Sequence, residues 1–347
     1  VNCIPEDACD AETFDQLFEA VLPFVMKARP SKPSASDIAI RVAAYKCLSL
    51  FALTAATAAS SATAESIFTQ HASSLIESSL LSFPSATTEE QIFMLRTLIL
   101  SFTNAATVAN YLDTVWELAL EILESESDDH DEMSAADQQH LRAEATHFWH
   151  NLQYIPAVAP GVDIEDFRPR LPRVADALVK TSLFSQEEID ELMQFDALGK
   201  SYSDARAERD QHRKVSAPTV MQYARNEAVD AIKMLADTFG TGFFPLLDSA
   251  LHQALGTVDA VSTPAAPAAT EEVSPREEGS GATTTTTSWL EKERGIVLLG
   301  AIASGCDCAV QPHADGYIQK LVAIASDEEE HMILRACAVW TTEQLFS

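Results

Sequence analysis

The amino-acid sequence predicts an all-α protein built as an α-solenoid, a superhelical array of stacked helix pairs. Apolar residues make up 47% of the 347 residues and glycine only 11, a composition that favours helix. Apolar positions recur at i, i+3, i+4 and i+7 in one segment after another, which is the period of an amphipathic helix. A short arginine-centred pattern also returns along the chain, and it indicates that the helices form repeats.

The predicted helices are bounded by recognisable start and stop residues. Side chains that cap helix starts are expected at Ser36, Thr88 and Ser185. Glycines that end helices are expected at Gly240, Gly256 and Gly305. The helices are predicted over residues 12–28, 36–58, 63–82, 88–106, 108–125, 134–153, 164–183, 186–195, 217–238, 241–255, 288–304, 310–326 and 329–346.

Four segments share an arginine that is followed three residues later by alanine. Bulky apolar residues follow on the same helical face, and the small alanine lets a neighbouring helix approach closely. The segments are Arg41-Val-Ala-Ala44, Arg142-Ala-Glu-Ala145, Arg225-Asn-Glu-Ala228 and Arg335-Ala-Cys-Ala338. Looser copies begin at Arg96 and Arg294.

The spacing of these arginines predicts the length of the repeat. It is 41 residues from Arg294 to Arg335, 46 from Arg96 to Arg142 and 55 from Arg41 to Arg96. A two-helix unit of roughly 40–47 residues is typical of HEAT or armadillo-like repeats. The competing interpretation is an irregular all-α protein in which the arginines recur by chance.

Residues 1–347 are therefore expected to form one HEAT-repeat segment with two interruptions. Residues 257–287 are rich in Thr, Ala, Pro and Glu, which predicts a disordered insertion. Residues 185–216 end in a stretch of mixed charge and are predicted to form a loop. Because the chain ends within what should be a repeat, we expect a central piece of a longer array.

The charge balance is strongly acidic and limits the classes of partner. There are 52 Asp and Glu against 23 Lys and Arg, a net charge of -29. This excess argues against direct binding of nucleic acid, whose phosphates would be repelled, and favours a basic protein or peptide. The alternative is that the acidic residues only keep a large helical protein soluble. No apolar run of about 18 residues is present, so no membrane insertion is expected.

Nothing in the sequence predicts catalysis, a cofactor or a bound metal. Motifs for phosphate binding, a nucleophilic serine or a zinc-dependent hydrolase are missing. Cys306 and Cys308 lie near His313, but this spacing matches no common zinc site. The acidic turn 128–132 lacks the spaced ligands of a calcium loop. We expect the protein not to be an enzyme, and its six scattered cysteines to be reduced and buried.

The tryptophans divide into two groups. Trp116, Trp149 and Trp340 occupy apolar positions of amphipathic helices and are predicted to lie in the core. Trp289 opens a helix directly after the low-complexity insertion. It either packs against its own helix start or contacts the Lys and Arg stems of a bound peptide.

The run from Trp289 to Cys306, WLEKERGIVLLGAIASGC, brings a specific resemblance into view. A Trp, a Glu and a Gly-Ala-Ile-Ala-x-Gly-Cys run at this spacing resemble the importin-β (karyopherin-β) nuclear transport receptors, and in particular their transportin-like branch. The resemblance extends over about residues 217–347. The first 110 residues resemble that family only as generic helical repeats.

The resemblance implies a HEAT-repeat nuclear import receptor that moves between cytoplasm and nucleus through the nuclear pore. Its implied partners are basic cargo proteins with their nuclear-targeting peptides, the Ran GTPase, and the Phe-Gly repeats of nucleoporins. In that family an acidic loop couples cargo release to Ran-GTP, and the corresponding segment here also carries Arg and Lys. The acidic residues at that place are Glu187, Glu188, Asp190, Glu191, Asp196, Asp204, Glu208 and Asp210.

Two other functions fit the same predicted architecture. One is a structural HEAT-repeat scaffold that assembles a protein complex without Ran or cargo transport, since fold alone does not distinguish the two. The other is an export receptor, whose grooves bind amphipathic apolar signals and should be less acidic.

Overall fold

The computed structural model describes residues 11–27, 33–57, 62–102, 110–125, 135–152, 162–183, 221–256 and 289–346. Across these ranges the backbone is helical and forms no strand, which confirms the predicted all-α class. The chain divides into two compact units, Val1–Met234 and Leu235–Ser347. The division falls inside one helix, so the two units are described separately.

The first unit contains seven α-helices and most of an eighth within its described residues. They are α1 (Ala11–Met26), α2 (Ala35–Thr57), α3 (Ala62–Ser82), α4 (Thr88–Phe102), α5 (Leu112–Glu124), α6 (Ala135–Asn151), α7 (Leu171–Thr181) and α8 (Met221–Phe239). The 3-10 turn Phe83–Ser85 leads into the link before α4, and Ile164–Arg170 precedes α7.

The packing of the first unit follows a regular order. Helices α1, α3 and α5 each pack on the helix that follows, which is α2, α4 and α6 respectively. We call the earlier helix of such a pair its first helix and the later one its second helix. Second helices pack on one another in succession, α2 on α4 and α4 on α6. First helices do the same, α1 on α3 and α5 on α7. The pairs α1–α2 and α3–α4 thus meet through both of their helices, and the pairs α3–α4 and α5–α6 meet through the second helices α4 and α6.

The second unit repeats part of this order. Its α-helices after α8 are α9 (Asp248–Leu255), α10 (Trp289–Ile302), the short α11 (Asp307–Val310), α12 (Ala314–Ser326) and α13 (Met332–Phe346). First helix α9 packs on second helix α10, and first helix α12 packs on second helix α13. The two second helices, α10 and α13, also pack on each other.

The residues that cap α2 and α4 lie one or two positions before the predicted caps. At α2 the backbone N–H of Asp37 donates to Ser34 Oγ and that of Ser34 donates to the Asp37 carboxylate. At α4 Thr87 and Glu90 exchange the same pair of bonds. Both arrangements are capping boxes. Ser36 and Thr88 were therefore the wrong residues, because the bonding partner lies three positions after the capping residue.

Three predicted helices begin instead with 3-10 turns that contain proline. These turns are Ile164–Arg170, Phe244–Leu246 and Gln311–His313. Proline has no backbone N–H and its ring collides with the preceding turn, so a regular α-helix starts only after it. The predicted helices 164–183, 241–255 and 310–326 therefore shorten to α7, α9 and α12.

Two of the predicted stop glycines act for different reasons. Gly256 has φ of 68°, a left-handed conformation that ends α9 and that glycine adopts without strain. Gly305 is needed for close approach, because a Cβ atom there would lie 2.5 Å from the backbone of Ala236 and Asp237. Any larger residue at position 305 would push these two backbone segments apart.

The core confirms most of the predicted packing positions. Ala44, Ala145, Ala228 and Ala338, the small residues of the arginine pattern, are all buried.

Trp116 and Trp149 are also fully buried, and their rings meet edge to face at 6.1 Å. The prediction for Trp340 was wrong, because 40% of this residue is exposed. Its ring lies against Gly300, where an added Cβ atom would be only 2.5 Å from the ring.

Several predicted segments fall outside the described residues. They include the helix 186–195 with its predicted cap Ser185, the whole loop 185–216, the insertion 257–287 and the acidic turn 128–132.

Candidate functional site

Arg41, the first arginine of the repeat pattern, binds the end of the first helix of its pair. From α2, its Nη1 atom donates to the carbonyl oxygens of Lys27 at 3.1 Å and Phe24 at 3.4 Å. The last four carbonyls of an α-helix have no partner within the helix and carry its partial negative charge. The positively charged guanidinium, with five N–H donors, can both bond to such carbonyls and offset their partial negative charge.

Two further arginines of the pattern make the corresponding bond in other pairs. Arg142 of α6 donates through Nη2 to the carbonyl of Ser125, directly after α5. Arg335 of α13 donates through Nε to the carbonyl of Ala325, in the last turn of α12, at 3.2 Å. The same residue type therefore joins second helix to first helix in three separate pairs.

Arg294 and Arg96 make other contacts, with a side chain and not with a helix-end carbonyl. Arg294 of α10 donates to the Gln253 side chain near the end of α9 at 3.3 Å. Arg225 is half-buried on α8. Arg96, a looser copy, does not bind a helix end: its guanidinium pairs with both carboxylate oxygens of Glu144.

Ion pairs also connect successive second helices of the first unit. Arg41 Nε of α2 lies 3.1 Å from Glu90 Oε1 of α4, and both side chains are buried. Arg96 of α4 reaches Glu144 of α6, whose carboxylate is also buried. A buried carboxylate is costly unless a cation and hydrogen bonds compensate it, so these pairs tie each helix to the next.

His147 extends this series to α8. Its Nε2 atom lies 2.8 Å from Glu227 Oε2 of α8, and its Nδ1 atom lies 3.6 Å from Glu144 Oε2 on its own helix. A protonated imidazole has two N–H donors, one for each carboxylate. His147 is thus placed to bridge α6 and α8 as a cation.

The ionisation of this network follows from its geometry. Burial alone would raise the pKa of Glu144, but hydrogen bonds from His147 and Arg96 outweigh burial and lower the pKa. Burial alone would lower the pKa of His147, whereas the carboxylates of Glu144 and Glu227 raise that pKa to about 9. Near neutral pH, His147 is therefore charged and Glu144 is ionised.

Other titratable groups surround the bridge. Desolvation lowers the pKa of His140, although its Nε2 atom lies 3.8 Å from the Glu144 carboxylate. Desolvation and the negative charge of Glu227 raise the pKa of Asp230 on α8. The ion pairs of Glu144 and Glu227 can therefore join helices and hold the Glu144 carboxylate ionised.

Trp289, the candidate contact for a bound peptide, is half-buried at the start of α10. Its ring stacks on His331, with ring centroids 4.1 Å apart and planes only 7° from parallel. Beside this stack, Lys292 Nζ lies 2.7 Å from Glu330 Oε1. Trp289 therefore links two helix pairs of the second unit instead of packing only on its own helix start.

The acidic residues proposed for the regulatory loop lie outside the described residues. These are Glu187, Glu188, Asp190, Glu191, Asp196, Asp204, Glu208 and Asp210. Among the described residues, no group of three or more His, Cys, Asp or Glu side chains is arranged to hold a metal ion. No helix in the described part of the chain is long and apolar enough to cross a membrane.

Sequence reasoning did not find the partners that complete the network. Glu90, Glu144, His147 and Glu227 belong to it, and of these Glu144 and Glu227 occupy the same place in the arginine pattern, two residues after Arg142 and Arg225. Arg41 and Glu90 are 49 residues apart, and Arg96 and Glu144 are 48 apart. Two signals were usable: both separations are close to the repeat length, and Glu144 and Glu227 share one position of the arginine pattern.

Comparison of the sequence with protein-family models and with curated proteins gives no match.

Proposed function

We propose that the chain is an α-solenoid of HEAT-type repeats and a segment of a nuclear import receptor of the importin-β kind. In this role it binds basic nuclear-targeting segments of cargo and is regulated by Ran-GTP, and it acts as a binding protein and not as an enzyme. The observation that carries the proposal is the recurrent arginine bond. Arg41, Arg142 and Arg335 each hold the carboxyl end of a preceding helix.

The recurrence supports a repeat array over an irregular bundle. A chance arrangement of arginines would not place three of them at equivalent positions with one partner type. The packing order, in which first helices meet first helices and second helices meet second helices, agrees with this. An array of this kind offers an extended surface along which a peptide can bind.

The charge supports a basic partner. A net charge of -29 attracts Lys- and Arg-rich segments over long distances and accelerates their association at low salt. The resemblance of residues 289–306 to transportin-like receptors supports nuclear-targeting segments in particular.

A second candidate, a structural scaffold without cargo transport, is favoured by one observation. Glu90, Glu144 and Glu227 are engaged by cations of the chain itself, and Glu330 is engaged by Lys292. Their main role is to join helices, so a basic ligand would need other carboxylates. On this alternative the excess acid serves solubility, and binding of basic peptides is unselective.

The test is a binding titration of the whole chain with a fluorescent nuclear-targeting peptide and a permuted peptide of equal composition. Each is measured across a salt series, with and without GTP-loaded Ran. The import-receptor proposal expects tighter binding of the natural order, weakening with salt, and a change in affinity when Ran-GTP is added.

If the two peptides bind equally and Ran-GTP does not change their affinity, the proposal is contradicted. The alternative of a structural scaffold without cargo transport is then supported. Selective binding that ignores Ran-GTP would support a receptor for basic segments and contradict the Ran-regulated role.

A further inference from the structure

Ser326 is the last residue of α12, and it is exposed. Within the described residues its hydroxyl has no hydrogen-bond partner. By contrast, Ser34 and Thr87, which also precede a carboxylate by three residues, use their hydroxyls in capping boxes. The Ser34 hydroxyl donates to the Asp37 carboxylate at 2.6 Å, and the Thr87 hydroxyl donates to that of Glu90 at 3.1 Å. Ser326 thus presents a hydroxyl group that the packing of the described helices does not use.

Four carboxylates follow Ser326 without interruption, from Asp327 to Glu330. No other serine or threonine of the 347-residue sequence has a carboxylate at each of the next three positions. The first three, Asp327, Glu328 and Glu329, are exposed. Protein kinases select their substrates partly by charge, and basic residues beside the catalytic site of a kinase favour carboxylates that follow the serine. The segment has the pattern that such a kinase recognises.

The link between the two helices of a pair is exposed wherever the pair lies. Neighbouring helices pack on the sides of a pair, α4 on α6 and α7 on α5, and leave this link accessible. Ser125, directly after α5, is exposed although its pair has neighbours on both sides. Ser85, in the link between α3 and α4, is exposed as well. The exposure of Ser326 therefore follows from its place within the pair.

The end of α12 can open at little cost. The backbone N–H of Asp327 donates to the Ile324 carbonyl at 3.3 Å, slightly beyond the usual range of such bonds. Asp327 itself has extended backbone angles. Helix ends open with much less free energy than the unfolding of a whole unit requires. A kinase can therefore draw Ser326 and the carboxylates after it into its substrate groove while α12 stays folded.

We propose that Ser326 is the phosphorylation site of a protein kinase that recognises carboxylates after its serine, and that the phosphate binds Arg335. Ser326 Oγ attacks the γ-phosphorus of ATP and forms a new O–P bond, while the bond from that phosphorus to the oxygen that bridges it to the β-phosphate breaks. ADP leaves with the electron pair of the broken bond, and a base of the kinase takes the hydroxyl proton. The site does not depend on the proposed nuclear import function.

Arg335 supplies the cation for the phosphate. Its Nε atom donates to the carbonyl of Ala325, one residue before Ser326, at 3.2 Å. Within the described residues Arg335 forms no ion pair, whereas Arg41, its counterpart in the first pair, is paired with Glu90. A phosphoserine carries a charge of about −1.5 to −2 near neutral pH and has acceptor oxygens that suit a guanidinium. The phosphate therefore competes with the Ala325 carbonyl for this guanidinium.

The test incubates the full chain with ATP and a purified acidophilic serine kinase, and phosphopeptide mass spectrometry gives the rate of modification at each serine. Ser326 should be modified at least about ten times faster than Ser85. Ser85 is exposed in the corresponding link but has no carboxylate at the next three positions. A kinase that requires arginine before its serine should show no preference for Ser326.

Glu328→Gln with Glu329→Gln removes two of the recognised charges and should slow modification of Ser326 at least about ten-fold. The matched control, Glu19→Gln with Glu121→Gln, removes the same charge from α1 and α5 and should change that rate less than about two-fold. All four glutamates are exposed, so neither double variant should alter folding, and circular dichroism checks this.

Phosphorus NMR tests the pairing with Arg335. The second pKa of a phosphoserine is about 6, and a bound guanidinium lowers this pKa because it favours the dianion. In phosphorylated Arg335→Gln the titration midpoint should therefore lie higher than in the phosphorylated parent chain. Arg294→Gln makes the same change in the preceding pair and should leave the midpoint unchanged.

Three outcomes would overturn the proposal. Similar rates at Ser326 and Ser85, or an unaltered rate in Glu328→Gln with Glu329→Gln, would show that the carboxylates do not direct a kinase to this serine. Modification of a synthetic peptide of residues 321–332, but not of the folded chain, would show that the end of α12 does not open. Equal midpoints in the parent and Arg335→Gln would show that the phosphate does not bind Arg335.

Discussion

The Nε atom of Arg41 lies 3.1 Å from Oε1 of Glu90, and neither side chain has more than slight contact with solvent. The same guanidinium holds two carbonyls at the end of α1, and the same carboxylate caps the start of α4 through Thr87. One ion pair thus joins the end of a first helix to two successive second helices. Removing this ion pair should therefore loosen the packing of all three helices.

Arg41→Met should destabilise the first unit by about 3–5 kcal/mol, because it leaves the Glu90 carboxylate buried without its cation. The double variant Arg41→Met with Glu90→Gln should recover part of that loss. Glutamine keeps the capping bond with Thr87 and needs no counter-charge. Urea unfolding followed by the fluorescence of buried Trp116 and Trp149 measures these differences.

Lys46 and Glu89 provide the matched control, since they join the same two helices at 3.0 Å but are exposed. Lys46→Met should cost at most about 1 kcal/mol. If Arg41→Met were as mild as Lys46→Met, the buried pair would not hold the helices together.

The His147 bridge should make the stability of the first unit depend on pH. Its pKa is about 9 in the folded chain and 6.5 in the ordinary reference state, so the folded chain retains the proton longer. The stabilisation is fully present below pH about 6.5 and is lost as pH rises through about 9. His147 is 36% exposed, and solvent screening reduces the expected effect to about 1–2 kcal/mol.

A histidine NMR titration should place the His147 midpoint near 9. Urea unfolding of His147→Gln should lose the decline in stability over this pH window. His252, exposed and 2.9 Å from Asp248, is the control, and His252→Gln should leave the decline unchanged. A His147 midpoint near 6.5 would show that the bridge to Glu227 is not formed.

Cys306 and Cys308 should differ in reactivity although they are two residues apart. Cys306 is fully buried, its Sγ lies 3.2 Å from the Gly240 carbonyl, and burial raises its pKa to about 11. Cys308 is exposed, so the expectation that all six cysteines are buried was wrong for this residue. Asp307 raises the pKa of the Cys308 thiol as well.

The thiolate is the reactive form and must be reached by the reagent, so iodoacetamide should modify Cys308 at least ten times faster. Peptide mass spectrometry gives both rates, and in urea the two should become similar. Equal rates in the native protein would mean that the 240–306 contact opens readily.

The helices and their buried faces could be predicted because they depend on local information. Apolar periodicity located the helices, and the arginine pattern predicted Ala44, Ala145, Ala228 and Ala338, all of which are buried. Proline at the helix starts shifted three boundaries, a local effect that the sequence also contained.

The ion pairs of the candidate site could not be predicted in the same way. His147 and Glu227 are 80 residues apart in the sequence and meet only because α6 and α8 are neighbours. Trp340 was misjudged for a related reason. Whether an apolar helix position is covered depends on which neighbour packs there, and the periodicity of one helix contains no information about its neighbour.

At Gly295 of α10, the addition of a single carbon atom should have a measurable effect on stability. A Cβ atom there would lie 2.1 Å from Cβ of Ala254 and 3.0 Å from the Ala250 carbonyl, on the facing helix α9. Gly295→Ala should therefore destabilise the second unit by about 1–3 kcal/mol, although alanine is the better helix former. Ala254→Gly in the same chain removes the colliding methyl group and should restore much of the loss.

Ala336, which corresponds to Gly295 in the 41-residue register, supplies the control because it is exposed on α13. Ala336→Val enlarges an uncovered position and should leave the unfolding transition almost unchanged. Thermal unfolding is compared for the parent chain, Gly295→Ala, Gly295→Ala with Ala254→Gly, and Ala336→Val. It distinguishes a specific collision with α9 from a general cost of enlarging a residue in these helices. If Gly295→Ala were as stable as the parent, α9 and α10 would have room to separate, and the close contact would not be needed for packing.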